Sequence, residues 1–167
     1  TYVTLLSLDN IKQMIYMRVA VETMVLRDFM EIQTPMVMEE IRHAIAVQKA
    51  LIQTPGFEPE QFYRMDAQMH SLWFTAVKRQ KLCDMLQAQQ LHYTRFRMLD
   101  FITETDFPRI IGEHEQLFEL ICKKDLSGLE QVLKDHLYYS MKRMRHSIEV
   151  DYKDYFEEEP EENRFVI

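Results

Sequence analysis

The sequence predicts an all-α protein, built as an antiparallel bundle of about six helices. Only 3 Gly and 5 Pro interrupt the 167 residues, so the chain lacks the frequent turns of a sandwich or a barrel. Apolar residues recur every three or four positions along most of the chain, which is the period of one helix face. No segment shows the sustained alternation of apolar and polar residues that is typical of a half-buried strand.

Residues that start and end helices divide the chain. The first helix extends from about Leu8 to Ile32, and Thr34 and Pro35 suit the N-cap and the first position of the second. The first helix is apolar on most faces, so we expect it at the centre of the bundle or at a subunit interface. A loop at residues 54–59 contains both proline and glycine. The later helices are predicted at about residues 35–53, 60–77, 81–104, 105–124 and 126–149.

The charge and the cysteine content exclude several functions. A formal net charge of −7 and a pI of about 5.4 make the chain a poor candidate for gripping a nucleic-acid backbone by itself. Two cysteines, Cys83 and Cys122, do not make a disulfide framework and favour a reducing compartment. No apolar run approaches the length of a membrane span, and no signal peptide is visible. We therefore expect a cytoplasmic protein without membrane contact.

Residues 1–150 are predicted to form one domain, because a chain of this length can bury a core of its own. Residues 151–167 include five glutamates around Pro160. Such a block of like charges usually forms a solvated, weakly ordered tail. The chain begins in helical sequence without an initiator methionine, and we interpret it as part of a longer protein.

Three predicted helices carry titratable residues within their apolar stripes. Asp66 and His70 are four residues apart on the third helix, so they lie one turn apart on one face. His114 and His136 interrupt the stripes of the fifth and sixth helices, and each is 11 residues from Asp125. In an antiparallel hairpin, residues equidistant from the turn lie at the same level. One carboxylate and three imidazoles that converge in this way suit Zn, Ni, Mn, Co or Fe.

Simpler interpretations exist for the same residues. A single histidine on an apolar face is more often a hydrogen-bonded core residue than a metal ligand, and Asp66 with His70 could be an i,i+4 pair. Arg18 and Glu22 interrupt the stripe of the first helix in the same manner. They form either a salt bridge of small value or part of a cavity, in which Arg18 holds a ligand carboxylate through two parallel hydrogen bonds.

In combination, these residues resemble the FCD domain of FadR-type GntR transcription regulators. The resemblance rests on four pairs spread over nearly the whole chain: Arg18 with Glu22, Asp66 with His70, Glu113 with His114, and His136 with Leu137. It implies an effector-sensing helical domain with a central metal and ligand cavity. It also implies a cytoplasmic regulator whose operator DNA is bound by an N-terminal winged helix-turn-helix domain, absent from this chain.

The resemblance assigns roles to the metal site. Asp66, His70, His114 and His136 would bind a divalent metal ion, with Zn preferred and Ni or Mn as alternatives. Arg18 would bind the carboxylate of a small effector, either a sugar acid or a di- or tricarboxylate. Four protein ligands on an octahedral ion leave two positions that such a carboxylate could fill.

One segment departs from the family pattern. An asparagine that often opens the helix after the third, and can contact the effector, is replaced here by Lys78, Arg79 and Gln80. The resemblance therefore makes Arg79 and Gln80 candidate substitutes in the ligand pocket. Tyr93, Arg95 and Arg97, on the fourth predicted helix, are further candidates, with a solvated surface role as the alternative for each. Arg95 and Arg97 cannot share a helix face.

Two other functions use the same residues. A metal-dependent enzyme acting on a small organic acid would activate water or dioxygen at the ion, but Glu113 and Glu115 flank His114 and should point elsewhere, which leaves no obvious general base. A purely structural ion would only hold the helices together. We expect a protein that is not an enzyme. We also expect a homodimer, from the apolar first helix and the 12 Met and from the family analogy.

Overall fold

The structure is a computed structural model that describes residues 4–88, 91–103 and 106–158. Within these ranges the chain forms helices joined by short connections, without a strand. The helices are α1 (Leu8–Ile32), α2 (Pro35–Leu51), α3 (Pro59–Ala76), α4 (Gln80–Ala88), α5 (Leu91–Ile102), α6 (Phe107–Lys123), α7 (Leu126–Arg143) and α8 (Arg145–Glu149), followed by a 3₁₀ turn at Lys153–Tyr155. The all-α prediction is confirmed.

Helix α1 lies at the centre of the bundle. It packs against α3, α5, α6 and α7, and its Ile15, Leu26 and Phe29 side chains are fully buried. Tyr16 and Met24 on the same helix remain exposed. Most apolar side chains of α1 therefore pack in the chain's own core, and only some of them face outward.

Helices α6 and α7 form a hairpin with a very short turn. Lys124 adopts a left-handed conformation (φ 54°) and ends α6. The Asp125 carboxylate then accepts a hydrogen bond from the backbone N–H of Gly128 at 3.0 Å and caps α7. Because two residues make the whole turn, the register of the two helices has little freedom.

Two predicted helices differ from the observed ones. The predicted helix at residues 81–104 corresponds to α4 and α5, and residues 89–90 and 104–105 lie outside the described ranges. The predicted final helix is interrupted at Met144, where ψ is close to zero (−1°) and the regular helical repeat is lost. Just before that interruption, the Arg143 guanidinium pairs with the Asp100 carboxylate on α5.

Residues 151–158 continue to pack against the bundle. Leu6 and Phe156 form an isolated parallel bridge. The Leu6 N–H donates to the Tyr155 carbonyl at 2.8 Å, and the Glu157 N–H donates to the Leu6 carbonyl at 2.8 Å. Phe156 is buried. Part of the predicted tail, with Pro160 and the glutamates at 159, 161 and 162, lies outside the described residues. Among the helices described, none has the length and apolar content to cross a membrane.

Candidate metal centre and adjoining cavity

Asp66, His70, His114 and His136 converge on one buried point. Each side chain offers one ligand atom, and these four atoms lie within 4.8 Å of one another. Helix α3 supplies Asp66 and His70 from consecutive turns. The α6–α7 hairpin brings the rings of His114 and His136 to a centroid separation of 4.8 Å, as their equal spacing from Asp125 predicts. All four side chains are buried.

Hydrogen bonds on the outer side of the rings set the tautomers of two histidines. Nδ1 of His70 lies 2.7 Å from Oε2 of Glu22, and Nδ1 of His136 lies 2.9 Å from Oε2 of Glu113. Because an ionised carboxylate can only accept hydrogen bonds, each Nδ1 must carry the proton. In the neutral form of each ring, the Nε2 atom then keeps a lone pair that points toward the centre of the cluster.

His114 is oriented in the same way from a third helix. Its Nδ1 lies 2.8 Å from Oε1 of Gln48 on α2, so the amide oxygen accepts the Nδ1 proton. Its Nε2 then faces inward, 3.3 Å from Oδ1 of Asp66. Among the described residues, neither of these two facing atoms has a hydrogen-bond partner.

The inner side of the cluster thus collects electron-rich atoms. Nε2 of His70 and Nε2 of His136 are only 3.3 Å apart, and Nε2 of His70 is 4.0 Å from Oδ1 of Asp66. Lone pairs that face one another in a buried space repel unless a cation lies among them. Three imidazole nitrogens and one carboxylate oxygen, each ring held from behind by an acceptor, are a donor set that fits a divalent metal ion.

The pKa shifts favour the protonation state that a metal ion requires. Burial lowers the pKa of His114 to about 4, although the neighbouring Asp66 opposes this effect. Burial also lowers the pKa of His136, against the influence of Glu113. For Asp66, burial would raise the pKa, but the positive charge of Arg97 helps to hold it well below 3.8. At neutral pH, His114 and His136 are therefore uncharged and Asp66 is ionised.

A cavity of about 190 Å³ adjoins the cluster, and Asp66 and His70 form part of its wall. Arg18 and Tyr93 also line it, which is the location predicted for both. The other lining residues are Glu22, Tyr63, Ala67, Phe74, Cys83, Leu86, Gln87, Thr94 and Arg97. A polar pocket next to a cluster that could hold a metal ion is a suitable place for a small anionic ligand.

Arg18 is held at the wall of this cavity by two buried partners. Its Nε donates to Oε1 of Glu22 at 2.7 Å, and its Nη1 donates to the Tyr93 hydroxyl at 2.8 Å. Burial alone would lower the pKa of Arg18, but the charge of Glu22 outweighs it and the pKa is raised. Burial would likewise raise the pKa of Glu22, yet Arg18 and His70 lower it to about 2. Both groups are charged throughout the physiological pH range.

Arg79 and Gln80 are not brought into the site. Both are exposed, and neither lines the cavity. Lys78 adopts a left-handed conformation (φ 60°) after the end of α3, and residues 78–81 are exposed. The Gln80 side chain is used locally, since its Nε2 donates to Asp84 at 2.8 Å.

The structure also gives positions in the site to Gln48, Glu113 and Arg97, which the sequence alone did not place there. Gln48 continues the buried stripe of Ile41 and Ile45 on α2, so its position in that stripe was an available signal. Glu113 points away from the ligand atoms, as predicted, but accepts the Nδ1 proton of His136. Arg97 lies inside the cavity wall; its spacing from Arg95 allowed only one of the two to face inward and did not decide which.

Comparison with known families gives one clear match. The chain matches the family model described as FCD domain over residues 13–139. That range contains Arg18, Tyr93 and all four residues of the buried cluster. A comparison with curated proteins returned no match.

Proposed function

This chain belongs to the FCD domain family, the effector-binding domains of GntR-type transcription regulators, and from that premise we propose that it senses a small carboxylate beside a bound divalent metal ion. The ion would be held by Asp66, His70, His114 and His136. Zn suits three imidazoles and a carboxylate well, and Ni or Mn are alternatives with the same ligand types. When bound, the ion supplies a Lewis-acidic point that attracts an oxygen of the effector.

The observation that carries the proposal is the orientation of the imidazole rings. Glu22 and Glu113 accept the Nδ1 protons of His70 and His136 at 2.7 and 2.9 Å. The two Nε2 lone pairs are then directed at each other across 3.3 Å. Acceptors behind metal-bound histidines are the usual means of fixing their tautomer and strengthening them as ligands.

The adjoining cavity supports a carboxylate as the effector. The Arg18 guanidinium is oriented by Glu22 and Tyr93, and its planar fork matches a carboxylate. Its Nη2 lies 3.5 Å from Nδ1 of His70, a nitrogen that donates to Glu22 and so cannot accept from Arg18. Nη2 of Arg18 is thus a donor that a ligand oxygen can use.

Effector binding would act on the bundle by joining helices. The metal ligands come from α3, α6 and α7, whereas Arg18 and Tyr93 come from α1 and α5. An effector that contacts both groups favours the arrangement of helices in which they are close together. That preference would be passed to the DNA-binding domain of the regulator and would change its affinity for the operator.

We infer a binding role rather than a catalytic one. Glu22 and Glu113, the carboxylates nearest the cluster apart from Asp66, already accept imidazole protons. Each also pairs with an arginine, Glu22 with Arg18 and Glu113 with Arg109. A carboxylate committed to these partners is a weak general base for activating water. Turnover of an organic acid that is lost in His114→Ala would contradict this inference.

The domain is also proposed to pair with a second copy through the exposed part of α1. Tyr16 is 69% exposed and Met24 is 54% exposed, and both lie on the helix that is otherwise the most buried of the bundle. Light scattering after gel filtration tests this point. A mass equal to one chain at micromolar concentration would contradict it.

The central experiment measures metal content and effector binding on the same sample. The purified domain is loaded with Zn, dialysed, and analysed by elemental mass spectrometry, which should find a stoichiometric ion that His136→Ala no longer retains. Isothermal titration with sugar acids and dicarboxylates should then detect binding that Arg18→Gln weakens while the Zn content stays unchanged. Absence of binding by all of these acids to the loaded domain would contradict the proposed function.

A further inference from the structure

A second arginine in the cavity wall has unfilled donors. Arg97 on α5 is only 3% exposed, and its Nε and Nη2 atoms have no hydrogen-bond acceptor among the described residues. The closest carboxylate contact is Oδ2 of Asp66, 3.6 Å from Nη2, which is too long for a hydrogen bond. Burial of guanidinium donors without acceptors is costly, so we expect a ligand to supply a hydrogen-bond acceptor for Arg97.

The surroundings of Arg97 hold it at the cavity. Its Cζ lies 4.6 Å from the centroid of the Phe101 ring, a cation–π distance. Arg97 and Arg18 line the same cavity, and Arg18 also keeps a usable donor at Nη2. The cavity therefore offers two guanidinium groups, on α1 and α5, each able to meet an anionic oxygen.

The charges of the lining residues limit the net charge of a ligand that the cavity can bind. Among its lining residues, the positive charges of Arg18 and Arg97 are balanced by the negative charges of Glu22 and Asp66. A divalent ion at the cluster adds two positive charges to this neutral set. An effector with two negative charges restores neutrality, whereas an aldonic or uronic acid brings only one and a tricarboxylate brings three.

The size of the cavity also favours a small dianion. Its volume of about 190 Å³ is below the roughly 300–1,000 Å³ that is typical of pockets for drug-sized ligands. Phe74 and Leu86 supply apolar surface between the polar groups. A short carbon chain with a carboxylate at each end matches both the volume and the distribution of polar groups.

We propose that the effector is a short dicarboxylate whose second carboxylate is bound by Arg97. This inference rests on the proposed function, because the metal ion and the Arg18 site are assumed to hold the first carboxylate. It narrows the effector class from carboxylates in general to small dianions. Arg97 is the residue that distinguishes them from monocarboxylates of the same shape.

The test compares each diacid with its half-amide, which has nearly the same size but one charge fewer. Malonate, succinate and glutarate are titrated into the Zn-loaded domain alongside malonamate, succinamate and glutaramate, with gluconate and glucuronate as sugar acids. We expect at least one diacid to bind about tenfold to a hundredfold more tightly than its half-amide, the effect of one charge-assisted buried hydrogen-bonding group.

Variants on α5 assign that preference to a residue. Arg97→Met should bind the diacid and its half-amide with similar affinity, and Arg97→Lys should keep part of the difference because it keeps the charge. Arg95→Gln is the matched control, since Arg95 lies on the same helix but reaches Thr4 on the outside, and it should leave the preference unchanged. Circular dichroism and Zn content confirm folding of each variant, and the wild-type comparison stands even if Arg97→Met fails to fold.

The outcomes separate the two proposals. Equal affinity for every diacid and its half-amide, or tighter binding of a sugar acid than of any diacid, overturns the dicarboxylate inference and leaves the proposed function intact. A preference that persists in Arg97→Met overturns the role of Arg97. No binding by any of these acids overturns both.

Discussion

Nε2 of His70 lies 3.3 Å from Nε2 of His136, while the Nδ1 atom of each ring donates to a glutamate on another helix. Neither ring can rotate without losing a buried hydrogen bond. The two glutamates thus hold the lone pairs in place before any ion arrives. This preorganisation should reduce the cost of metal binding, because the ligands do not have to be ordered on binding.

Removing the glutamate that accepts the Nδ1 proton of His136 should weaken metal binding without removing a metal ligand. We expect Glu113→Ala to lower Zn affinity about 10- to 100-fold, because His136 loses the acceptor that fixes its tautomer. Glu113→Gln should retain much of the affinity, since its amide oxygen can still accept the Nδ1 proton. Competition with a fluorescent Zn chelator measures both. Glu115→Gln, on the exposed Glu115 that pairs with Lys49, is the control, and an equal loss there would refute the interpretation.

Removal of the ion should destabilise the whole bundle. Ion binding at one hundred times Kd contributes about 2.7 kcal/mol, which corresponds to a Tm decrease of roughly 5–10 °C on chelation for a domain of this size. Differential scanning calorimetry with and without EDTA measures the change. His136→Ala should show a much smaller difference between the two conditions. An identical Tm for the wild-type domain in both would argue against a bound ion.

The metal-free domain should lose stability as the pH falls below neutrality. The pKa of His114 is lowered from 6.5 to about 4 in the fold, so the unfolded chain takes up a proton that the native state resists. The His114 contribution is therefore complete above pH 6.5 and is lost as the pH falls through 4, by roughly 3 kcal/mol at most. Glu22, lowered from 4.5 to about 2, extends the loss to lower pH.

Urea denaturation in EDTA at several pH values gives this profile. His114→Gln should reduce the pH dependence of the free energy of unfolding between pH 6.5 and 4. His43→Gln, at an exposed position of α2, should leave that dependence unchanged. A free energy of unfolding that stays constant from pH 7 to pH 4 would contradict the assignment.

The Arg18–Glu22 pair should reveal strong coupling in a double-mutant cycle. Arg18→Met leaves the Glu22 carboxylate buried without its cation, which should cost roughly 3–5 kcal/mol of unfolding free energy. Arg18→Met with Glu22→Gln should recover much of that loss, because the glutamine oxygen can still accept the proton of His70. Chemical denaturation in EDTA provides the numbers. The exposed i,i+4 pair of Arg64 with Glu60 serves as the reference, and additive effects at Arg18 and Glu22 would be the contrary result.

The turn between α6 and α7 can be improved. Lys124 occupies a left-handed conformation with φ 54°, where glycine has no steric penalty. We expect Lys124→Gly to raise the free energy of unfolding by about 0.5 kcal/mol, the net of relieved strain and greater freedom of the unfolded chain. Lys123→Gly, one residue earlier inside the helix, should lower it. The same sign for both variants would contradict the assignment of the turn.

The site was more predictable from the sequence than the details of its surroundings. Asp66, His70, His114 and His136 stand out because a polar residue in an apolar stripe must find a partner, and the short turn at Asp125 leaves the hairpin a single register. Such arguments depend on local periodicity, which a helix obeys closely.

Features that depend on distant contacts were harder to predict. Arg97 faces the cavity because of the way α5 is rotated against α1 and α3, and periodicity alone cannot distinguish it from Arg95, two residues away. The family pattern drew attention to Arg79 and Gln80, but the left-handed Lys78 turns the chain outward before them. The break at Met144 follows a pairing between Arg143 and Asp100 that joins residues far apart in the sequence.

The bridge between Leu6 and Phe156 brings the two ends of the described chain side by side. A short covalent linker could therefore join them, and new ends could be opened in the exposed loop at residues 54–56 without cutting a helix. Such a circular permutant would keep every ligand on its own helix. It would also place the two chain ends in the loop between α2 and α3, so a reporter fused there would be attached near the start of α3 instead of the start of α1.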